Sequence, residues 1–130
     1  MTGDTAVGKS ALIKNYLRNK FTDYYEPTVL NVFKGLKDIK GKQLEIEILD
    51  TSGDEHHGVC RQLQYMDADA FMICVDSNSE DTLSSVAKWK AEIKQIEPKK
   101  PISLIMTKAD QLKMIKKPVT KRDILKKFKD

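Results

Sequence analysis

The chain is predicted to fold as an α/β sandwich, a mixed and mostly parallel sheet with flanking helices, and three features carry that expectation. Ala70-Phe71-Met72-Ile73-Cys74-Val75 and Ile102-Ser103-Leu104-Ile105-Met106 are short apolar runs of the kind that form strands buried on both faces. Between them Leu83, Val86, Trp89 and Ile93 recur at helical spacing, from a start signal at Ser79-Glu80-Asp81 to a stop at Pro98, which marks a crossover helix from Ser79 to Ile96. Finally, Gly3-Asp4-Thr5-Ala6-Val7-Gly8-Lys9-Ser10 leads directly into Ala11-Leu12-Ile13-Lys14-Asn15-Tyr16-Leu17, whose apolar side chains are again helically spaced. Strands alternating with helices bury their faces by stacking into such layers.

Along the chain, the first helix follows the glycine-bearing loop. Residues 19–27 are polar, aromatic and turn-prone, and Pro27 pushes the residue before it toward extended geometry, so this segment reads as a surface loop. Val29 to Ile39 and Gln43 to Leu49 read as two strands around a turn at Lys40-Gly41-Lys42; in the second, Leu44, Ile46 and Ile48 alternate with Glu45 and Glu47. The parallel strands and their crossover come next. Thr120-Lys121-Arg122-Asp123 has the form of a capping box, and Ile124, Leu125 and Phe128 make the apolar stripe of a last helix. Lone Trp89 is most simply a core residue. Only Met1 and Thr2 precede the glycine loop, so no strand fits there, and the strands ending at Asp50 and Asp76 are each expected to lose a neighbour and leave backbone groups unpaired.

At 130 residues and 40% apolar content, residues 1–130 are expected to form a single domain or part of one. Cys60 and Cys74 lack metal-ligand spacing, and no secretory signal or bilayer-length apolar run is present, which makes a reducing cytoplasmic setting the default expectation. The net charge of +4 is uneven: residues 99–130 carry 11 Lys or Arg against 3 Asp or Glu, whereas residues 1–98 carry 12 against 16. No aromatic residues interleave with the tail lysines as base-stacking platforms would, so nucleic acid is not the expected partner and a solvated helix face is the simpler reading.

The chemistry is concentrated in the loops. G-x-x-x-x-G-K-[ST] describes a turn whose backbone N–H groups cradle phosphates at a helix N-terminus, with Lys9 neutralising charge and the Ser10 hydroxyl available to Mg²⁺. By itself the match would also suit a glycine turn beside an exposed lysine. Tyr25-Glu26-Pro27-Thr28 sets a hydroxyl just before a strand, though Thr28 is also an ordinary β-former. Asp50-Thr51-Ser52-Gly53 sets a carboxylate at a strand end, able to hold a metal-bound water, and a glycine whose N–H can approach phosphate; alone, Asp50 would pass for a turn residue. Thr107-Lys108-Ala109-Asp110 follows an apolar strand. Its Asp110 carboxylate can accept from the N1–H and exocyclic amine of guanine, a type of contact that rejects analogues lacking the donor by on the order of 10⁴. Phe21 can cover a base with its ring or simply anchor its loop.

In this order the segments resemble the small GTPases of the Ras superfamily, and the similarity covers essentially the whole chain. Tyr65-Met66-Asp67-Ala68-Asp69-Ala70 and Thr107-Lys108 look most like the Rho branch, Ile48-Leu49-Asp50 more like the Ras branch, and the short stretch from Leu112 to Val119 lacks the extra helix of an ordinary Rho protein. The resemblance implies a P-loop NTPase small-G-domain sandwich that binds GTP or GDP with Mg²⁺. Gly3, Thr5, Ala6, Val7, Gly8, Lys9, Ser10 and Ala11 would surround the phosphates. Ser10, Thr28 and Asp50 would serve the metal, Gly53 would sense the γ-phosphate, and Phe21, Tyr25, Thr107, Lys108 and Asp110 would hold the nucleotide. Segments 25–30 and 53–63 would be the switches read by effectors and regulators.

Three departures qualify that pattern. Asp54 stands where the family has its catalytic glutamine, and an ionised carboxylate can only accept hydrogen bonds, so hydrolysis is expected to suffer. Thr5 replaces the usual glycine and crowds the space for water and an arginine finger, a group worth roughly 10³ to 10⁵ in rate. Both resemble the GTPase-deficient Rnd-type members, although drift in a degraded copy gives the same changes and His56 or His57 can in principle position water instead. The family's first strand and its C-terminal strand, base-contacting loop and helix have no counterpart, so the chain is expected to be truncated at both ends, with membrane association only through parts not present.

Overall fold

The computed structural model describes residues 1–18, 27–114 and 119–129. Helix α1 (Lys9–Arg18) leaves the glycine loop, and strands β1 (Leu30–Ile39) and β2 (Lys42–Thr51) pair antiparallel from Leu30 opposite Thr51 to Ile39 opposite Lys42. Lys40 and Gly41 both have positive φ, 54° and 77°, the twist that a two-residue hairpin loop requires, and the Gly41 N–H donates to Asp38 Oδ1 at 2.9 Å. The turn is thus one residue shorter than expected, because Lys42 already belongs to the ladder. β2 also extends past Leu49: Asp50 and Thr51 pair with Asn31 and Leu30, since ladder hydrogen bonds need backbone and not apolar side chains. Asp50 therefore sits inside a strand and not after it.

A short 3₁₀ turn (Glu55–His57) and helix α2 (Gly58–Tyr65) lead to β3 (Phe71–Asp76), which pairs parallel with β4 (Ile102–Thr107). The crossover is two helices, α3 (Glu80–Ser84) and α4 (Val86–Ile96), where one was expected. Ser79 caps α3 by accepting from the Thr82 N–H at 3.4 Å, and the interruption falls at Ser85, whose hydroxyl bonds back to the Asp81 carbonyl at 3.2 Å, a contact that bends helices. Helix α5 (Lys121–Lys129) starts from the expected reciprocal box: the Thr120 N–H donates to Asp123 Oδ2 at 2.9 Å and the Asp123 N–H to Thr120 Oγ1 at 3.3 Å.

Met1 and Thr2 join the two strand pairs. The Thr2 N–H donates to the Met72 carbonyl at 2.9 Å and the Cys74 N–H to the Thr2 carbonyl at 2.8 Å, forming a single parallel bridge opposite Ile73. On the other side the Met1 carbonyl accepts from the Thr51 N–H, and the Met1 ammonium donates to the Leu49 carbonyl at 2.6 Å. The backbone groups expected to be unpaired are thereby satisfied at the loop end of the sheet, because a bridge needs only one residue's N–H and C=O.

α2 and α4 pack Tyr65, Trp89 and Ile93 on Phe71 and Ile73, with Tyr65 edge-on to Phe71 at 5.1 Å. A second cluster joins Val75, Leu83, Val86, Val119 and Ile124 beneath α5. Phe71, Ile73 and Val75 are alternate residues of one strand, so both clusters rest on one face of β3. Among the described residues no helix is long and apolar enough to cross a membrane.

Candidate functional site

The glycine loop runs from the Thr2 bridge into α1, and its conformation accounts for its composition. Gly3 has φ +136°, and a Cβ there would lie 2.5 Å from the Cys74 carbonyl oxygen; Gly8 has φ +95°. Ala6 holds a left-handed φ of 59°, an uncommon geometry for a residue with a side chain. Val7 points into the core. Lys9 is buried, and its Nζ donates to the Gly3 and Asp4 carbonyls at 2.9 and 2.8 Å, so the loop curls around its own lysine. Burial pulls the Lys9 pKa down, opposed by Cys74, Asp50 and Asp4. Gly8, Lys9, Ser10 and Ala11 then line a cavity of about 160 Å³ at the N-terminus of α1, where the first-turn N–H groups have no helical partners.

Across that cavity lie Thr28, Gly53, Asp54 and His57. Ser10 Oγ and Thr28 Oγ1 are 3.0 Å apart. Behind them Asp50 is fully buried, and neither carboxylate oxygen has a hydrogen-bond partner. Burial raises the Asp50 pKa, while the Ser10 hydroxyl and the Lys9 ammonium act the other way. A buried carboxylate near the Ser10 hydroxyl, itself 3.0 Å from that of Thr28, suits a hard, oxygen-seeking cation such as Mg²⁺. Among the described residues no group of three or more His, Cys, Asp or Glu is arranged to hold a metal by itself, so a cation at Ser10, Thr28 and Asp50 would share its shell with oxygens of a ligand.

Gly53 sits directly against the loop: a Cβ there would lie 2.4 Å from Thr5 N and 2.5 Å from Asp4 C. The matched family model is that of the Ras family, over residues 1–128. The chain belongs to the Ras family. It is 34% identical over 111 residues to the Rho-related GTP-binding protein RhoB of Homo sapiens, and equally to those of Mus musculus and Rattus norvegicus. Those alignments cover 85% of this chain and 57% of each relative, so the chain spans little more than half the length of the curated relatives it matches. It is a Rho-like small GTPase sequence by that likeness.

Within this Ras-family chain the other predicted residues fall in three groups. Thr5 and Ala6 are exposed at the cavity rim. Asp54 also lines the cavity, but its Oδ1 accepts from the His56 N–H at 2.9 Å and caps the 3₁₀ turn, a local bond that an Asp readily makes to the N–H two residues on. In the segment Thr107–Asp110, Thr107 is buried and its hydroxyl is engaged by the Val7 and Val75 carbonyls, the latter at 3.1 Å, which ties this segment to the glycine loop. Lys108 has φ 55° and pairs with Asp76 Oδ2 at 2.6 Å, while Asp110 is exposed in the 3₁₀ turn Ala109–Met114. Thr107, Lys108 and Asp110 do not line the cavity around Ser10 and Thr28. Phe21 and Tyr25 lie outside the described residues.

Of the two histidines that the sequence offers for positioning water, it is His57 that lines the cavity, with Nδ1 3.1 Å from Ser52 Oγ. Two contacts at the site escaped the sequence reading. Trp89 is in the core as expected, yet its indole N–H donates to Asp4 Oδ1 at 2.7 Å. Arg61, which has no motif around it, is buried between α2 and α4. The available signal was weak: a lone Trp needs a partner for its N–H, and an arginine among apolar helix positions needs a counter-charge.

Proposed function

We propose that this chain is a guanine-nucleotide switch that takes GTP or GDP with Mg²⁺, presents segments 25–30 and 53–63 to effectors and regulators, and hydrolyses GTP weakly. The observation that carries the reading is the buried Asp50 carboxylate, which lies near the Ser10 hydroxyl and makes no well-formed hydrogen bond, with Ser10 Oγ in turn 3.0 Å from Thr28 Oγ1 at the start of α1. Bound there, Mg²⁺ would supply positive charge to phosphate oxygens. Lys9, now occupied with loop carbonyls, is placed to transfer its hydrogen bonds to phosphate, and Gly53 lines the far wall. Asp110 would select guanine by accepting from its N1–H and amine. Weak hydrolysis follows from Asp54, which can only accept and is engaged by the His56 N–H, and from Thr5, which occupies the cavity rim. A cytoplasmic setting accompanies this reading.

Slow but real turnover is a second reading, favoured by His57: with Nδ1 accepting from the Ser52 hydroxyl, Nε2–H would be free to orient water at the cavity. Denaturing the purified protein and identifying the released nucleotide tests binding; guanine nucleotide is expected, and an empty but folded protein would refute the switch. A single-turnover assay then separates the two readings. Phosphate release well below the order of 10⁻⁴ s⁻¹ seen in intrinsic Ras turnover supports the first; a rate at that level, lost in His57→Phe, supports the second.

A further inference from the structure

Arg61 on α2 is only 3% exposed, and its guanidinium is engaged on every edge. Nε and Nη2 donate to Glu92 Oε1 and Oε2 at 2.7 and 3.0 Å, while Nη1 donates to the carbonyls of Ser52 and Asp54 at 3.0 and 2.9 Å. Its Cζ lies 4.7 Å from the centroid of the Trp89 ring, and that ring in turn donates to Asp4 in the phosphate loop. Both carbonyls that Arg61 holds flank Gly53. In a trans peptide the C=O and the following N–H point in opposite directions, and no peptide among the described residues is cis. Holding the Ser52 oxygen toward Arg61 therefore turns the Gly53 N–H away from it, and Gly53 itself lines the cavity.

From this geometry we infer that Arg61 is a positioning residue for a third phosphate: set by Glu92 and Trp89, it holds the Ser52–Gly53 peptide with its N–H turned to the cavity. A triphosphate thus finds a donor already aimed, whereas a diphosphate gains nothing from it. The inference rests on the guanine-nucleotide reading above and deepens it by naming what sets triphosphate preference. A lysine cannot replace Arg61, because one ammonium does not span two carbonyls and a carboxylate in a single plane.

The test compares affinities for a non-hydrolysable GTP analogue and for GDP in the full chain. Arg61→Lys keeps a cation beside Glu92; Arg61→Met with Glu92→Met replaces the buried pair by apolar side chains without leaving a lone charge. Each variant should lower the triphosphate-to-diphosphate affinity ratio about tenfold, the worth of one charge-assisted hydrogen bond. In the wild type the Gly53 amide ¹⁵N resonance should shift on exchanging GDP for the analogue, and in the variants that shift should shrink. A merely structural role predicts equal losses for both ligands, and an unchanged ratio with an unchanged Gly53 shift in the folded Arg61→Lys protein overturns the inference. If the wild type binds neither nucleotide, the switch reading itself fails and the inference falls with it; if it binds both and only the ratio is insensitive, the inference alone fails.

Discussion

Gly53→Ala should force the phosphate loop and the β2–α2 segment apart. The new Cβ would lie 2.4 Å from Thr5 N, 2.5 Å from Asp4 C and 2.7 Å from Gly3 O, whereas ordinary contact begins at 3.4 Å. All three neighbours are backbone atoms, which no rotamer change can move, so one segment must retreat by about 1 Å. Overpacking on that scale costs roughly 1 to 3 kcal/mol. Part of that cost falls on global stability, and the melting temperature of the nucleotide-free chain should drop by about 4 to 12 °C. The rest falls on function, because a displaced Gly53 N–H no longer meets a terminal phosphate. Thermal melts without ligand, with GDP and with a non-hydrolysable GTP analogue measure both parts. The analogue should stabilise the wild type more than GDP does, and stabilise the alanine variant no more than GDP does. A melting temperature within about 1 °C of wild type, with the analogue's extra stabilisation intact, would refute the predicted overlap.

Further expectations concern single groups. Asp50→Asn should stabilise the nucleotide-free chain at neutral pH while abolishing the Mg²⁺ dependence of nucleotide retention. The folded pKa of Asp50 is raised above the ordinary aspartate value of 3.8, so its cost is absent below that pH and grows as pH rises toward the folded value. The advantage of the Asn variant in melting temperature should therefore widen from about pH 4 to pH 7, and a constant gap would count against the buried, unpartnered state. Thr107→Val keeps the shape but removes the hydroxyl shared by the Val7 and Val75 carbonyls; a loss of about 1 kcal/mol is expected, seen in melts and as equal weakening of GDP and triphosphate binding. Cys60 is exposed, whereas burial pushes the Cys74 thiol up to about 11, so a thiol reagent at neutral pH should modify one cysteine quickly and the second only in denaturant. Fast modification of both would contradict the placement of Cys74.

How far the candidate site can be read from residue order depends on the distance over which each contact acts. The alternation in Leu44, Ile46 and Ile48 reports a strand because side-chain direction repeats every two residues, and Thr120 with Asp123 reports a helix start because both partners lie in one turn. The same logic misplaced the end of β2, since Asp50 and Thr51 pair through backbone that carries no apolar label. Apolar spacing alone runs α3 and α4 together, because the bend at Ser85 comes from its hydroxyl bonding back to the Asp81 carbonyl, which leaves the apolar period unbroken.

Local periodicity was enough to establish the α/β alternation, the glycine loop ahead of α1 and the carboxylate at position 50, because each is written in residues within a turn or a strand of one another, and the order of the motifs along the chain carried the likeness to small GTPases. Folding decided the rest. Thr107 meets Val7 across 100 residues, Trp89 reaches Asp4 across 85 and Arg61 meets Glu92 across 31, and no local pattern encodes such partners. Met1 and Thr2 form no strand, yet the N–H and C=O of Thr2 make one parallel bridge to β3 beside the loop. Asp50 acquires its chemical character only when packing strips it of water and leaves it without a well-formed hydrogen bond, a property of its surroundings and not of its motif.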